Sequence, residues 1–532
     1  MRKKKTIERL KESFGKFKEE EFNFNLIEKY FIHKDNNDSF QVLSDKTCND
    51  LDFEELFMFI DRTTSKIGQQ CLYNRLRAIS NDFGKIDFEE KLIQKLSDDT
   101  EFRIDTQLQL DKLTKEDAYH ISSIFQEKHD KPPKWFFLIR LLSFSSLISL
   151  IMLPIRPQMF FAFLGIFIIN IGFHYWNKRN LNKYLGSIPQ LLKLNNIANN
   201  LNKDQTFKEI NLTLHTSIKV ISQIRNRMSF FRLEANLQSD TEAIFWGILE
   251  LFKIAFLLEP LLLFGVLHRL DSKRKEIEDI YSFVGEVDIL ISIASLRNGI
   301  GKYCLPVINN SKISAELVYH PLISDCIPNS IDVSGKSVLL TGSNMSGKTS
   351  FIRTIGLNII TGLAINTCFA VSMTFPRLRI YSAIRISDDL MNDKSYYFEE
   401  VLTIKDMIEN SSKGQQNLFL LDEIFKGTNT IERISAGKAV LSTLSRNKNI
   451  VFVSTHDIEL TDMLSDEYEL YHFSEIVKNN NVDFDYKLKE GKLKNRNAIR
   501  ILQINNYPKD LIEEAISISE EFSKITVANK KT

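Results

Sequence analysis

The sequence predicts an α/β domain in the C-terminal part of the chain, preceded by a mainly α-helical region that contains a transmembrane helical hairpin. Three observations indicate this fold class. Short apolar runs alternate with helical patterns from about residue 310, apolar residues recur at helical spacing over residues 1–130 and 178–300, and residues 135–177 carry almost no charge. The first two patterns are typical of soluble domains, whereas the third has the length and composition of a membrane segment.

The composition is that of a folded protein with about three to four domains. The chain has 532 residues, of which 43% are apolar and 26% are charged. Lys and Arg total 69 against 68 Asp and Glu, so any contact with nucleic acid would need a local basic patch. The five cysteines are widely spaced, so we expect neither a disulfide scaffold nor a zinc site. Residues 1–17 have no apolar core, so we expect no secretory signal there.

Two uncharged runs, residues 141–155 and 157–177, predict the transmembrane hairpin over residues 135–177. About 20 apolar residues span the hydrocarbon layer, and the first helix reaches that length only if it includes Arg140, whose long side chain can extend to the interface. Cationic residues flank the outer ends and the turn carries only Arg156, so we expect both ends on the cytoplasmic side. The alternative is a helix pair buried in a core or in an oligomer contact.

A second apolar stretch, residues 243–267, is interrupted by Glu250, Lys253 and Glu259, and we expect it to break at Pro260. We predict a buried or partner-facing helix of a soluble domain in this stretch. Contact with a membrane is the alternative.

The strongest chemical signal is GSNMSGKT at residues 342–349, between a predicted strand at 336–341 and a helical pattern. This is the GxxxxGK[ST] phosphate-binding loop in the strand–helix context that it needs. Its glycines let backbone N–H groups converge on phosphate oxygens, and the helix N-terminus adds positive potential. We predict that Lys348 contacts the β- and γ-phosphates of ATP and that the Thr349 hydroxyl binds Mg²⁺. The alternative is a tight glycine-rich turn.

Two more predicted strands end in polar residues. Residues 417–421 precede Asp422 and Glu423, and residues 450–454 precede a Thr-His-Asp sequence that contains His456. We predict that Asp422 holds the Mg²⁺ shell, that Glu423 polarises the attacking water and that His456 approaches the γ-phosphate. The alternatives are favourable acids at a helix N-terminus and a structural histidine.

Taken in order, these motifs resemble those of the MutS family of ATPases, within the ABC-type class. TGSNMSGKTSF, LLDEIFKGTNT and FVSTHDIEL are similar to that family's phosphate loop, acidic pair and histidine segment. DKSYYFEEVLTIKDMIE resembles its signature segment, and HPLISDCIPNSIDV resembles its approach to the nucleotide. FMFIDRTTSKIGQQCLYNRLR resembles the start of its helical core, and YKLKEGKLKNRNAIRILQINNYPKDLIEEA resembles its closing helix–turn–helix region.

The resemblance implies ATP and Mg²⁺ as cofactors and a homodimer with composite sites, in which Ser395 caps the γ-phosphate bound by the other subunit. The alternative for Ser395 is a simple helix N-cap. The predicted catalytic residues are Lys348, Glu423 and His456, and the predicted Mg²⁺ ligands are Thr349 and Asp422. The predicted nucleotide-binding residues are Gly342, Ser343, Asn344, Met345, Ser346, Gly347, Lys348, Thr349, Ser350, Asn329 and, in trans, Ser395.

The chain also departs from the family pattern. Only roughly 50 residues precede the core-like segment, too few for the family's mismatch-recognition domain, so we expect a membrane-associated variant that lacks it. Phe-x-Glu occurs at residues 53–55 and 88–90, where we expect helix faces. Cys326 stands near the position of the family's adenine-stacking aromatic residue, and Phe425-Lys426 replaces Gly-Arg after the acidic pair.

Three functions fit these observations. The first is a MutS-like ATPase that works as a nucleotide-driven switch on an unidentified protein partner, anchored at the cytoplasmic face of the membrane or, alternatively, soluble in the cytoplasm. The second is a DNA repair or recombination protein that binds mismatched or branched DNA. The third is an ABC-like transport-associated ATPase, although two spans are few for a conduit. A DNA-binding stripe could include Lys178, Arg179, Lys183, Arg225, Arg227, Lys273, Arg274 and Lys275, although solvated helix faces are the alternative.

The predicted domain organisation has six segments. They are an N-terminal helical segment (1–40), a MutS-core-like helical region (41–134), the transmembrane hairpin (135–177), a helical return (178–305), the ATPase domain (306–525) and a tail (526–532).

Overall fold

The structure is a computed structural model of the full chain. It describes the backbone of residues 2–128, 132–223, 243–309, 311–343, 345–385, 396–478, 481–493, 502–503 and 507–529. Side chains are described over the same ranges except at residues 2, 177–185, 243–246, 396, 476–478, 481–482 and 520–529.

The chain forms two compact units. The helical unit comprises Met1–Asp38, Ile60–Arg77 and Asp82–Gly301, and the α/β unit comprises Ser39–Phe59, Ala78–Asn81 and Lys302–Thr532. Two short early segments therefore belong to the α/β unit, although the sequence analysis placed them in the helical region. The two segments are joined to each other, because strand β1 (Gln41–Val42) pairs antiparallel with β2 (Ala78–Ile79). The Gln41 amide also exchanges two hydrogen bonds with the backbone of Ile380.

The helical unit contains helices and connecting loops, with no strand among its described residues. Its α-helices include Arg2–Ser13, Phe24–Ile27, Lys29–His33, Lys66–Arg77, Ile86–Asp98, Thr100–Leu110, Ile121–Gln126, Phe136–Met152, Met159–Leu201, Ala243–Phe256, Leu258–Leu270 and Arg274–Gly299, and residues 214–223 are helical as well. Short 3₁₀ turns occur at Asp111–Leu113, Glu116–His120, Gln205–Ile210 and Asp271–Lys273.

The core of this unit is organised around a buried carboxylate. The sequence predicts a continuous helical stripe from Leu56 to Leu76, but the chain breaks between Ile60 and Lys66. Asp288, which is fully buried, accepts hydrogen bonds from the backbone N–H groups of Thr64 and Ser65 and from the Ser65 hydroxyl. Burial raises the pKa of Asp288 to about 6, against the lowering effect of these hydrogen bonds. The carboxylate thus satisfies free donors at the start of helix Lys66–Arg77.

The predicted hairpin consists of the helices Phe136–Met152 and Met159–Leu201, which pack against each other. The second helix continues well past residue 177. By length and composition, the segment Met159–Trp176 could cross a membrane, whereas Phe136–Met152 is a shorter apolar helix. Among the described helices, length therefore supports one spanning segment and not the predicted pair.

The sequence predicts a break at Pro260 in the apolar stretch at 243–267, but the chain breaks at Leu257 instead. Helix Ala243–Phe256 ends at Leu257, whose φ of 46° lies in the left-handed region, and helix Leu258–Leu270 begins directly after it. Pro260 lies in the first turn of that helix, where a missing N–H leaves no helical hydrogen bond unmade.

The α/β unit is built on a six-stranded sheet. Its strands are β6 (Ser337–Thr341), β8 (Arg379–Ala383), β9 (Asn417–Asp422), β10 (Ile450–Thr455), β11 (Tyr468–His472) and β14 (Lys489–Glu490). The spatial order is β14-β11-β6-β10-β9-β8, with all neighbours parallel except β11 and β14. The inner strands read as continuous apolar runs because both faces are covered, as is usual for a parallel sheet.

The other elements of this unit flank the main sheet. A four-stranded sheet has the order β3-β7-β4-β5, formed by β3 (Val307–Asn309), β4 (Lys312–Val318), β5 (Asn329–Ser334) and β7 (Ser372–Pro376). A hairpin is formed by β12 (Glu475–Lys478) and β13 (Asn481–Phe484). The helices are Asp45–Asp50, Phe53–Ile60, Lys348–Ile365, Tyr396–Ser411, Thr430–Leu444, Glu459–Met463 and Lys509–Asn529. The last helix continues into the predicted tail, to Asn529.

Candidate nucleotide-binding site

The sheet order explains why residues far apart in sequence meet at one edge. Strand β10 lies between β6 and β9, and all three run parallel. Thr455 at the end of β10 is opposite Thr341, which precedes the glycine-rich loop, and Ser454 is opposite Asp422. The carboxyl ends of parallel strands are the usual location of ligand sites in α/β sheets. The loop, the acidic pair and the histidine therefore lie side by side.

The glycine-rich loop has the backbone that its sequence predicts. Gly342 and Gly347 have φ angles of 148° and 103°, in the region that favours glycine. A Cβ atom at Gly342 would lie 2.6 Å from the carbonyl oxygen of Phe473, so a side chain there would displace the backbone. Lys348 opens the following helix, and its Nζ donates to the carbonyl oxygens of Gly342 and Ser343, each at 2.8 Å.

The electrostatics of the loop suit an anion. The Lys348 side chain is buried, and this burial lowers its pKa, although Glu423 and Asp422 act in the opposite direction. The buried Ser343 hydroxyl has no hydrogen-bond partner within the described part of the chain. A phosphate oxygen would give that hydroxyl a partner and would bring negative charge to the N-terminus of helix Lys348–Ile365. These residues therefore fit a nucleotide phosphate.

A hydroxyl and a carboxylate meet beside the loop. Thr349 Oγ1 donates to Asp422 Oδ2 at 2.8 Å, and the Ser454 hydroxyl hydrogen-bonds Asp422 Oδ1. In the described residues there is no group of three or more His, Cys, Asp or Glu side chains that could hold a metal ion. One carboxylate and one hydroxyl nevertheless fit Mg²⁺, which keeps several waters and shares its shell with substrate phosphates.

Glu423 lies between two cationic groups. Its Oε1 is 2.7 Å from His456 Nε2, and its Oε2 is 2.5 Å from Lys426 Nζ. Burial raises the pKa of Glu423, but the hydrogen bonds and charges of His456 and Lys426 outweigh this effect and lower the pKa to about 2. The carboxylate is therefore ionised at neutral pH.

The loop after Glu423 is held in an unusual conformation by a residue that the sequence analysis did not select. Glu423 and Phe425 both have positive φ angles, of 51° and 60°. Their backbone N–H groups donate to the Ser454 carbonyl oxygen at 2.9 Å and to the buried carboxylate of Glu400 at 2.6 Å. Burial raises the pKa of Glu400. Glu400 lies in the predicted signature segment, but only the folded chain brings it to this loop.

The side-chain amide of Asn329 is hydrogen-bonded to backbone groups and so holds a loop in place. Its Nδ2 donates to the carbonyl oxygens of Ile327 and Tyr486, and its Oδ1 accepts from Leu488 N at 2.7 Å. The same loop places the exposed ring of Tyr486 beside the phosphate loop, since a Cβ atom at Gly347 would lie 3.3 Å from it. Asn329 thus supports the site through Tyr486, which the sequence analysis missed because no motif marks it.

Three of the remaining predicted residues, Met345, Ser346 and Ser350, lie in the phosphate loop or directly after it. Met345 is exposed, and Ser346 is buried with its hydroxyl donating to the Ser343 carbonyl oxygen. Ser350 continues the helix, and its carbonyl oxygen accepts from the Thr354 hydroxyl. Asn344 and Ser395 lie outside the described residues, and the helix of the signature segment begins at Tyr396.

The predicted basic stripe contains ion-paired residues. Lys273 pairs with Glu276, and Arg274 pairs with Asp271 on the preceding turn. Lys275 forms no ion pair with another described residue. The side chains of Lys178, Arg179 and Lys183 and the whole of Arg225 and Arg227 lie outside the described part of the chain. At Lys273 and Arg274, local ion pairs therefore favour a solvated helix surface.

Parts of the chain are similar in sequence to known proteins. Residues 338–523 match the sequence model described as MutS domain V. The chain is 29% identical to the DNA mismatch repair protein MutS of Oceanobacillus iheyensis, over 46% of this chain and 29% of the relative. It is 28% identical to MutS of Listeria monocytogenes serotype 4a, over 48% of this chain and 32% of the relative. It is also 28% identical to the DNA mismatch repair protein MSH3 of Kluyveromyces lactis, over 48% of this chain and 26% of the relative.

Each of these matches spans less than a third of the relative's own length. The matched domain contains the phosphate loop, the acidic pair and the histidine described above. Within the α/β unit, residues 338–523 are therefore similar to MutS domain V, and about half of the chain is similar to DNA mismatch repair proteins of the MutS type.

Proposed function

We propose that this chain is a Mg²⁺-dependent ATPase that works as a nucleotide-driven conformational switch. The observation that carries the proposal is the meeting of the phosphate loop, the Thr349–Asp422 pair and the Glu423–His456 pair at the ends of three adjacent strands. The match to MutS domain V supports the same activity and favours it over the transport-associated alternative.

The chain's own residues have distinct roles in this proposal. Backbone N–H groups of the loop and the Lys348 ammonium bind the β- and γ-phosphates. Thr349 and Asp422 hold Mg²⁺, which when bound supplies positive charge that neutralises the phosphate oxygens. His456 lies at the adjacent strand end, where its imidazole can donate a hydrogen bond to the γ-phosphate.

Glu423 orients the attacking water. A carboxylate with a pKa of about 2 is a weak base while Lys426 and His456 are bound to it. Its contribution is therefore to accept a hydrogen bond from the water and align it, and it becomes a stronger proton acceptor when either cation moves away.

The adenine base stacks on Tyr486 in this proposal. The ring is exposed and lies next to Gly347, and Cys326 stands near the position where the family resemblance would place an aromatic residue. An aromatic ring gives a base a large apolar contact without demanding a specific hydrogen-bond pattern.

The working unit is a homodimer, with Ser395 of one subunit completing the site of the other. This arrangement follows from the resemblance of the signature segment. Because a triphosphate would touch both subunits and a diphosphate would not, ATP binding would favour the closed dimer. An unidentified protein partner would recognise the resulting change of conformation.

DNA binding is the second candidate function. It is supported by the relatives, which are DNA mismatch repair proteins. With a net charge of +1, the chain would bind DNA through a local basic surface, and its affinity would fall steeply with salt. A filter-binding series with homoduplex, mismatched and branched DNA at several salt concentrations tests this function, and no salt-sensitive binding to any of them would contradict it.

The hairpin at 135–177 anchors the protein at the cytoplasmic face of a membrane in this proposal, and the alternative is a soluble cytoplasmic protein. The support is the apolar helix Met159–Trp176 and the cationic residues that flank the pair in sequence. Retention of the intact chain in the membrane fraction after a high-salt wash tests the anchor.

The ATPase proposal is tested by Lys348→Ala. Loss of the ammonium should reduce ATP turnover by at least about 100-fold and weaken nucleotide binding, because the charge on the β- and γ-phosphates is no longer balanced. Lys438→Ala is the matched control, since Lys438 pairs with Glu467 in the turn before strand β11 and its loss should leave the rate unchanged. Unaltered ATP affinity in the Lys348 variant would show that nucleotide binds elsewhere.

A further inference from the structure

The apolar helices of the helical unit have an inverted distribution of polarity. On the pair Phe136–Met152 and Met159–Trp176, the buried positions include Ser146, Asn170 and His174. Large apolar side chains face outward instead, and Phe161 is 75% exposed. In water the opposite arrangement is stable, because exposed apolar surface is unfavourable and buried polar groups need partners. In a bilayer, outward apolar and inward polar side chains are the stable arrangement.

The outward apolar surface is too broad for a single helix contact. Exposed apolar positions on the first helix are Phe137, Leu138, Leu141, Phe144, Leu147, Ile148, Leu150 and Ile151, which at 3.6 residues per turn spread over roughly two-thirds of the helix circumference. This spacing covers far more of the helix circumference than the narrow stripe that one partner helix would bury. Lipid covers a helix from all free sides, so a bilayer is the occupant that fits this surface.

The helices Ala243–Phe256 and Leu258–Leu270 form a second apolar pair. This pair extends to the middle of the first pair and then turns back. The Ser143 hydroxyl donates to the carbonyl oxygen of Phe256 at 2.7 Å, and the Asn170 amide donates to that of Ala255 at 2.8 Å. The chain then reverses at Leu257. On the way back, the ring of Phe264 lies 5.1 Å from the ring of Phe136, at the beginning of the first helix.

The geometry of the second pair is that of a re-entrant segment. Helices of 14 and 13 residues are about 20 Å long at 1.5 Å per residue, short of the roughly 30 Å of hydrocarbon. Its reversal point contacts the first helix at Ser143, about 10 Å along the axis from Phe136. Ile248, Leu251 and Phe252 nevertheless present exposed apolar side chains.

The charged residues that argued against a membrane location for this stretch are paired with one another. Lys253 Nζ lies 2.6 Å from Glu250 Oε2 and 2.6 Å from Glu259 Oε1. His174 Nε2 lies 3.1 Å from Glu250 Oε1, and its Nδ1 lies 3.7 Å from Glu259 Oε2. Paired ionisable groups that face the interior of a bundle are the form in which charges occur inside membranes.

We propose that the helices at 136–152, 159–176, 243–256 and 258–270 form one membrane module, in which the last two are a re-entrant hairpin that enters the lipid bilayer beside the first pair. This inference rests on the proposed membrane anchor and extends it. The re-entrant hairpin enters from the side that holds both ends of the first pair, and the Glu250–Lys253–Glu259–His174 cluster (the interior ion cluster) joins the two pairs.

The test uses the wild-type, full-length chain reconstituted in phosphatidylcholine vesicles that contain a lipid with a photoreactive group on its acyl chain. After irradiation, mass spectrometry maps the labelled residues. We expect label at Ile248, Leu251 and Phe252 as well as on residues 136–176. Ile431 and Met463, which are exposed apolar side chains of the α/β unit, are matched internal controls and should stay unlabelled.

The outcomes separate the inference from the anchor. Label confined to residues 136–176 would overturn the re-entrant hairpin and leave the anchor intact. Label on none of these helices, with the chain soluble and dimeric or larger by sedimentation, would overturn both and assign the apolar surface to a second copy of the chain. ATP turnover is measured in the same samples, so failure of the nucleotide site is recorded independently.

Tryptophan fluorescence gives a second measurement. The three tryptophans of the chain, Trp135, Trp176 and Trp246, all belong to these helices or directly precede them. Trp135→Phe/Trp176→Phe leaves Trp246 as the only reporter, and Trp246→Phe leaves the other two. We expect brominated phospholipids to quench both variants. Quenching of the Trp246→Phe variant alone would contradict the re-entrant hairpin.

Discussion

Two clusters in this chain use the same residue types in different surroundings. At the sheet edge of the α/β unit, Glu423 binds Lys426 three residues later and a histidine from another element. In the helical unit, Glu250 binds Lys253 at the same spacing and also a histidine from another helix. The second cluster contains one more carboxylate, that of Glu259.

The difference between the clusters lies in their exposure. Lys426 and His456 are 50% and 40% exposed, whereas Lys253 is 1% exposed and Glu259 is fully buried. Exposed cations can move away and leave Glu423 to interact with water, whereas the enclosed charges are held by one another. The same local sequence pattern can therefore serve chemistry at an open edge and assembly in a closed interior.

The largest expected effect is on the open cluster. Glu423→Gln should bind ATP but hydrolyse it about 10²–10⁴-fold more slowly, because the amide keeps the shape of the side chain but not its negative charge. Single-turnover hydrolysis measures the rate, and equilibrium nucleotide binding shows that the site is intact. Glu409→Gln, an exposed substitution on the 396–411 helix, is the control. A wild-type rate in the Glu423 variant would remove this residue from the reaction.

The interior ion cluster should respond in stability. Lys253→Met leaves Glu250 and Glu259 enclosed without their shared cation, which should lower the free energy of unfolding by about 3–5 kcal/mol. Thermal unfolding followed by tryptophan fluorescence reports on this region. Lys253→Met/Glu259→Gln should recover part of the loss, and Lys273→Met, at a partly exposed pair, should have little effect. An unchanged midpoint for Lys253→Met would show that water reaches the cluster.

A mixing experiment tests whether the open site is completed by a second subunit. Ser395→Arg and Lys348→Ala should each be inactive alone. A mixed dimer would carry both defects in one site and none in the other, so mixing should restore part of the ATPase rate. Crosslinking confirms that mixed dimers form. Inactivity of confirmed mixed dimers, or full activity of Ser395→Arg alone, would contradict a composite site.

The smallest effect is expected from Lys426→Ala. Lys426 is one of the groups that lower the pKa of Glu423 to about 2, so removing it should raise that pKa. Glu423 then becomes protonated at a higher pH, and the acid limb of the ATPase pH profile should move upward by about one pH unit. Lys438→Ala should leave the profile unchanged. An unshifted limb would show that Lys426 is not held at Glu423 in solution.

The candidate nucleotide site was largely predictable because the motif that defines it is local. The strand-loop-helix around residues 342–349 needs glycines, a lysine and a hydroxyl at fixed spacing, and the structure has that element order. The strands that precede Asp422 and His456 were recognisable as buried parallel strands by their apolar runs. Glu400, Ser454 and Tyr486 were missed because their positions depend on packing between distant segments.

The helical unit was less predictable. Apolar content identified the stretch at 243–267, but three charged residues and a proline suggested that it was an ordinary soluble helix that breaks at Pro260. The break at Leu257 and the pairing of those charges depend on the neighbouring helices. Likewise, the interruption at Asp61–Ser65 depends on Asp288, which is more than 200 residues away in sequence.

By itself, the sequence determined which stretches favour helices or strands, which loop has the phosphate-binding pattern, and which residues can carry charge. These properties follow from side-chain periodicity and from the backbone freedom of glycine, which act over a few residues. Only the tertiary structure decided which carboxylates are enclosed, which cation each one meets, and which apolar surfaces remain uncovered. Those properties depend on desolvation and on contacts between elements far apart in the chain, and neighbouring residues do not encode them.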